Sequence, residues 1–124
     1  MTKAETITRS AEATYIHKKV SGGGGEFAKV TLRLEPLPSG RGFEFLNVAP
    51  SSAVPASFVE GVEGGIKKAA ETGVVSGGPV IDLRVTLLDG AYREADSNSR
   101  TFGIAAREAF RAAMHDAGPR ILVT

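Results

Sequence analysis

The chain has 124 residues and a net charge of +1, with 42% hydrophobic and 23% charged residues. These values are typical of one soluble globular domain spanning residues 1–124, and they exclude a disordered polyelectrolyte. A net charge this small gives no argument for a polyanion-binding surface. Any contact with a polyanion such as RNA must therefore depend on where individual charges lie.

Cysteine is absent, which excludes disulfides, thiolate metal sites and cysteine nucleophiles. The sequence has neither the apolar segment of a signal peptide nor the ~20 apolar residues of a membrane span. We therefore expect a cytoplasmic location and no membrane partner. Because the chain runs from Met1 straight into a strand-like segment, we also expect a domain cut from a longer protein.

The first third of the chain predicts a hairpin. Residues 6–20 form one extended segment, in which apolar side chains are scattered among threonine and charged residues. Residues 29–35 alternate between apolar and polar, as in a strand with one buried face. Between them, residues 22–25 are four glycines, across which no strand is expected. The hairpin should therefore have a long mobile tip.

A short strand over residues 43–48 precedes the first predicted helix. Pro55 is favoured as a first helical residue, and an apolar stripe continues to about residue 71. Gly73 is expected to end the helix. Three glycines inside the helix cost up to ~1 kcal/mol each, so we expect close packing against them. They are Gly61, Gly64 and Gly65.

The last third predicts a strand, a helix and a final short strand. Residues 81–87 alternate, and residues 88–90 are expected to break that strand. Asp96 or a neighbour should cap a helix over about residues 99–115, with a strand candidate at residues 121–123. The order β-β-β-α-β-α-β predicts an α+β fold with two helices on one face of a sheet.

Three stretches, in order, resemble domain IV of elongation factor G. They are residues 17–30 (HKKVSGGGGEFAKV), residues 43–66 (FEF, then VP, then VEGGI) and residues 78–110 (GPVIDLRVTLLDGAY, then DS, then AF). The final GPRIL, residues 118–122, is similar to the point where that domain passes to domain V. Because the order and the spacing hold over nearly the whole chain, the resemblance is specific.

The resemblance implies a ribosomal protein S5 domain 2-like fold, with a mixed β-sheet and a left-handed βαβ crossover, an exception to the usual hand. It implies that a distal tip enters the ribosomal decoding site during translocation and contacts ribosomal RNA and the tRNA–mRNA duplex. Two tip loops fall at residues 21–28 and 90–96, and a third element falls near residues 49–54. It further implies neighbouring domains III and V.

The same resemblance implies no catalytic, cofactor or metal site in this chain. GTP and Mg²⁺ are expected only in a GTPase domain of the parent protein. The four-glycine run is no phosphate-binding loop, because it enters a strand and lacks the Gly-Lys-Ser/Thr that opens a helix. His17 and His115, the two histidines, have no ligand-like partners at metal-binding spacing.

The tip departs from the family pattern at several positions. Gly24 and Glu26 stand where Arg and Gln are usual, Arg93 replaces a His, and Ser51-Ser52 replaces a Gly-Gly pair. Glu26 puts a negative charge where RNA approaches, whereas Arg93 gains a permanent charge and a planar fork for phosphate. These departures favour a diverged elongation factor G-like paralogue.

The residues expected to contact RNA or the ribosome lie in the two tip loops and beside them. They are Lys18, Lys19, Ser21, Gly22, Gly23, Gly24, Gly25, Glu26, Phe27, Lys29, Tyr92, Arg93 and Asp96. The three lysines could instead form a solvated strand face. Tyr92 could stack on a base, worth ~1–3 kcal/mol, or its ring could pack under the loop.

The functional hypothesis is a non-catalytic, RNA-binding module of a translation factor that supports translocation. Three alternatives stay open: a domain of a ribosome recycling GTPase, a domain of a ribosome-protection GTPase, and a stand-alone RNA- or protein-binding module. An enzyme on the same fold would need an ATP-binding glycine–serine motif opening a helix, and the sequence has none.

Overall fold

The computed structural model describes residues 3–21 and 24–123. This part of the chain contains six strands and two helices. They are β1 (Lys3–Ile7), β2 (Ala11–Ser21), β3 (Gly24–Pro36), β4 (Phe43–Asn47), α1 (Ala56–Ala70), β5 (Leu83–Ala91), α2 (Ser99–Asp116) and β6 (Pro119–Val123).

Four of the strands form a mixed sheet in the order β2-β3-β5-β4. β3 is antiparallel to both of its neighbours, whereas β4 and β5 are parallel and are joined through α1. The chain therefore contains the βαβ unit that the resemblance implies. β1 and β6 pair antiparallel in a separate two-stranded sheet, so the ends of the described chain lie side by side.

The core lies between the four-stranded sheet and the helices. Ala28, Val30, Leu32 and Leu34 on β3 are fully buried, and the residues between them are partly exposed, which confirms the predicted alternation. α2 lies directly over β2 and β3, and α1 packs alongside α2. The predicted α+β architecture with two helices and one main sheet is confirmed.

Two of the three helix glycines explain how closely the helices approach. A Cβ atom on Gly61 would lie 2.2 Å from the Ser99 carbonyl oxygen, and one on Gly65 would lie 2.3 Å from that of Gly103. No side chain fits at either position, which confirms the expectation of close packing. For Gly64 the expectation is wrong, because it lies on the exposed side of α1 with nothing within 4 Å of a Cβ.

The early strands differ from the prediction. Residues 6–20 are not one segment: β1 ends at Ile7, and the N–H groups of Thr8 and Arg9 both donate to the Ala117 carbonyl. Gly24 and Gly25 belong to β3, since the ladder continues to the Ser21–Gly24 pair. The strands are therefore longer, and their connection shorter, than the four glycines suggested.

β5 begins and ends two to four residues later than predicted. Asp82 has a positive φ of 60°, and its carboxylate accepts hydrogen bonds from the Gly40 and Gly42 N–H groups, so the strand starts only at Leu83. It continues through residues 88–90 because a bulge opposite Thr31 and Leu32 absorbs the extra residue. Pro55 is the N-cap of α1 rather than its first residue.

Candidate functional site

Three segments meet at one end of the sheet, and we call this end the tip: the hairpin end (17–29, less residues 22 and 23), the loop 90–98 and the turn 49–54. The Phe27 N–H donates to the Asp96 carbonyl at 3.0 Å. The Ser97 hydroxyl donates to the Phe27 carbonyl at 2.6 Å and accepts from the Arg93 N–H at 2.9 Å. The first two segments are thus fixed to each other. Ser97 was missed as a site residue, because no local pattern shows that its hydroxyl reaches a backbone carbonyl 70 positions away.

The third segment touches the base of the second. A Cβ atom on Gly90 would lie 2.5 Å from the Lys29 carbonyl oxygen and 2.7 Å from a Val54 methyl group. Val54 is 1% exposed, so the turn is anchored in the core beside this glycine. The structure therefore brings together all three tip elements that the resemblance implied.

The lysines of the hairpin lie on both sides of the sheet. Residues directly opposite each other in an antiparallel pair share a face, and successive residues alternate. Ala28 is buried under the helices, so Phe27, its partner Lys18, and Lys29 belong to the open face. Lys18 and Lys19 are exposed, while Lys29 is half-buried. Lys18 and Lys19 are thus both accessible to a large partner.

Tyr92 packs within the protein while keeping part of its surface free. Its ring meets that of Phe58 edge-on at 5.6 Å, and Phe58 stacks on Phe102 at 5.0 Å. The ring thus packs against α1, and because Tyr92 is 39% exposed, stacking on a base stays a prediction. The Arg93 guanidinium lies 4.4 Å from the centre of the Phe27 ring, where a cation–π attraction holds it.

Glu26 has two partners that the sequence did not indicate. Its Oε1 accepts a hydrogen bond from His17 Nε2 at 2.8 Å, and its Oε2 pairs with the Arg100 guanidinium. The hydrogen bond from His17 lowers the pKa of the Glu26 carboxyl, outweighing partial desolvation, and Arg100 lowers it further. The carboxylate is therefore ionised and paired inside the protein near neutral pH.

α2 is capped by a neighbour of Asp96, as one alternative predicted. Asn98 Oδ1 accepts from the Thr101 N–H at 2.8 Å, and Thr101 Oγ1 accepts from the Asn98 N–H at 3.0 Å, a reciprocal capping box. The Asp96 side chain lies instead beside the hairpin, where a Cβ atom on Gly25 would be 3.3 Å from its Oδ2. Asp96 is thus part of the tip.

Two expected site residues, Gly22 and Gly23, lie outside the described residues. The backbone of Ser21 pairs with that of Gly24. Within residues 3–21 and 24–123 no group of three or more His, Asp or Glu side chains could hold a metal ion. In that same part of the chain, neither helix is long and apolar enough to cross a membrane.

Residues 2–118 match the family described as elongation factor G, domain IV. The chain belongs to this family. Elongation factor G from Anaplasma marginale (strain Florida) is 50% identical over 118 residues, and that from Ehrlichia chaffeensis is 46% identical over the same length. In both comparisons, 95% of this chain covers 17% of the relative. The chain therefore spans about a sixth of the length of these relatives.

A crystal structure of a Thermus thermophilus protein superposes with a TM-score of 0.89 at 37% identity, covering 96% of this chain and 18% of that one. The chain therefore has the ribosomal protein S5 domain 2-like fold. Together these findings assign it to a translation elongation factor family, as its domain IV.

Proposed function

We propose that this domain is the arm of a longer elongation factor G-like GTPase that enters the ribosomal decoding site and supports movement of the tRNA–mRNA duplex. The observation that carries the proposal is that Phe27, Asp96 and Ser97 join the hairpin end to the loop 90–98, while Val54 of the turn 49–54 packs beside Gly90. An arm that transmits movement needs a tip of fixed shape, because a loose loop would absorb the displacement.

The proposed RNA contacts are local rather than a property of the whole surface. Four cations surround the glycines and the second loop: Lys18, Lys19, Lys29 and Arg93. Glycines at the hairpin end allow the backbone to approach a phosphate or a ribose closely. Three carboxylates lie in the same segments, and of these Glu26 is already paired. Because its partners are His17 and Arg100, Glu26 neutralises none of the four cations that would meet phosphates.

The proposal assigns the chemistry to another part of the parent protein. GTP and Mg²⁺ would bind in its GTPase domain, and neighbouring domains III and V would carry the resulting movement to this arm. The protein would act in the cytoplasm, where ribosomes work. The departures at Gly24, Glu26 and Arg93 support a diverged paralogue rather than a factor with an unaltered tip.

The test is single-turnover translocation by the full-length factor carrying Lys18→Ala and Lys19→Ala together. We expect the rate to fall about ten-fold, equivalent to about 1.4 kcal/mol of barrier, with intrinsic GTP hydrolysis unchanged. The matched control is Lys67→Ala with Lys68→Ala, which removes two exposed charges from the last turn of α1.

Equal translocation rates for the two double variants would overturn the proposal. If the tip variant instead slows only ribosomal subunit splitting, the parent factor acts in recycling. A reading frame that does not continue on either side of this domain would support the stand-alone binding module.

A further inference from the structure

The Glu26 carboxylate connects three elements of the fold. Glu26 lies on β3 directly opposite Lys19, His17 lies on β2, and Arg100 lies in the first turn of α2. Each carboxylate oxygen has its own partner, His17 on one side and Arg100 on the other. The end of the hairpin is thereby tied to the start of the helix beneath it.

The surroundings of this cluster are more protected than those of an ordinary surface ion pair. The side chains of His17 and Glu26 are 17% and 27% exposed, and only Arg100 is largely in water, at 61%. A lone exposed pair contributes little because water screens it and both side chains lose freedom. Here one carboxylate makes two charge-assisted hydrogen bonds, which fix its geometry more strongly.

The neighbouring residue is held from a different direction. The Phe27 backbone is bound to the loop 90–98 through Asp96 and Ser97. Glu26 is bound on the helix side through Arg100. The hairpin end is thus fixed on two sides within two consecutive residues, and removing either contact should release it.

We propose that Glu26 is a positioning residue, which sets the angle of the hairpin end on α2 while Arg100 cancels its charge. The inference rests on the proposed function, since it concerns how the same tip is presented to RNA. It also reverses the simplest interpretation of this residue. If the carboxylate only faced RNA, it would oppose binding, and removing it would strengthen binding. If it positions the hairpin end, removing it should weaken the function of the tip.

The test uses the full-length factor with Glu26→Ala, Arg100→Ala and the double variant. Hydrogen–deuterium exchange of peptides covering residues 24–28 reports directly on the hairpin. Both single variants should raise exchange there about five-fold, because the Phe27 N–H becomes easier to expose. Both should slow translocation about three-fold. The double variant should be no slower than Glu26→Ala alone, because Glu26→Ala already removes the contact with Arg100.

Two further variants separate positioning from general destabilisation. Arg100→Lys keeps a cation within reach of Glu26 and should recover most of the lost rate. Glu108→Ala with Arg111→Ala removes an ion pair from the same helix away from the tip, and should change neither measurement.

The inference is overturned if Glu26→Ala accelerates translocation or if exchange at the hairpin is unchanged in the variants. It is also overturned if the effects of the two single substitutions on the translocation rate add in the double variant. Failure of the proposed function gives a different pattern. In that case the Lys18 and Lys19 variant has no effect on translocation, while exchange at the hairpin still responds to Glu26→Ala and Arg100→Ala.

Discussion

Glycines occur both where α1 packs against α2 and at the hairpin end, and they occur there for different reasons. At the helix contact, Gly61 and Gly65 face backbone at distances that leave no room for a Cβ atom. At the hairpin end, a Cβ atom on Gly24 would meet nothing within 4 Å. Packing therefore dictates Gly61 and Gly65, whereas a side chain at Gly24 would point into open space, which suits a surface that meets a partner.

The largest effect is expected where packing leaves no space. Gly65→Ala should lower the free energy of unfolding of the 124-residue chain by about 3 kcal/mol, because the new methyl group forces α1 and α2 apart. Gly64→Ala, one position earlier, should raise it by up to about 1 kcal/mol through helix propensity. Denaturant unfolding measures both. Similar effects of the two substitutions would contradict the difference between these neighbours.

A second test concerns Glu5, a buried carboxylate that sequence reasoning missed. It accepts hydrogen bonds from the N–H groups of Val74, Val75 and Ser76 and from the Ser76 hydroxyl. Glu5→Ala should cost about 2 kcal/mol, because these donors lose their acceptor. Equilibrium unfolding of this variant and of Glu71→Ala, an exposed carboxylate nearby, measures the difference.

The same carboxylate should make stability depend on pH. Burial raises the pKa of Glu5, but the hydrogen bonds from Val74, Val75 and Ser76 outweigh it, so the pKa lies below its ordinary value. A lowered folded-state pKa stabilises the fold above the unfolded pKa, and this contribution is lost as the pH falls below about 4. Between pH 7 and pH 3, the free energy of unfolding should fall more steeply for the unsubstituted chain than for Glu5→Gln. Parallel curves would show that Glu5 does not contribute.

The smallest effect on stability is expected at the tip. The exposed Arg93 guanidinium lies over the Phe27 ring. Because this contact is weak, Arg93→Ala should lower the free energy of unfolding by at most about 1 kcal/mol. Translocation by the full-length factor should nevertheless slow several-fold, with intrinsic GTP hydrolysis unchanged. A large loss of stability with unaltered translocation would make Arg93 a structural residue, and the distinction between tip and scaffold would fail.

Patterns that one element can express were predictable from the sequence. The alternation on β3, the apolar stripes of both helices and the glycines at close helix contacts all follow from local periodicity and size. The parts that failed depend on partners distant in the chain. Asp82 delays the start of β5 because its carboxylate binds the loop at Gly40 and Gly42, and the bulge in β5 exists only against β3.

The tip shows the same limit. The resemblance located its three segments, and their proximity is a consequence of the fold. The pairing of Glu26 with Arg100 joins residues 74 positions apart, and no local pattern marks it. The same holds for Ser97, whose hydroxyl reaches the Phe27 carbonyl 70 positions away. Charge placement at the tip therefore could not be judged from residue types alone.

We propose that the hairpin end of this domain, and not its helix surface, meets RNA. Val20 is 82% exposed beside the glycines, and Lys68 is exposed on α1. A photoreactive amino acid placed at either position in the full-length factor, bound to ribosomes carrying tRNA and mRNA, tests this directly. We expect crosslinks to RNA from position 20 and few or none from position 68. Crosslinks to RNA from position 68, with none from position 20, would contradict the account.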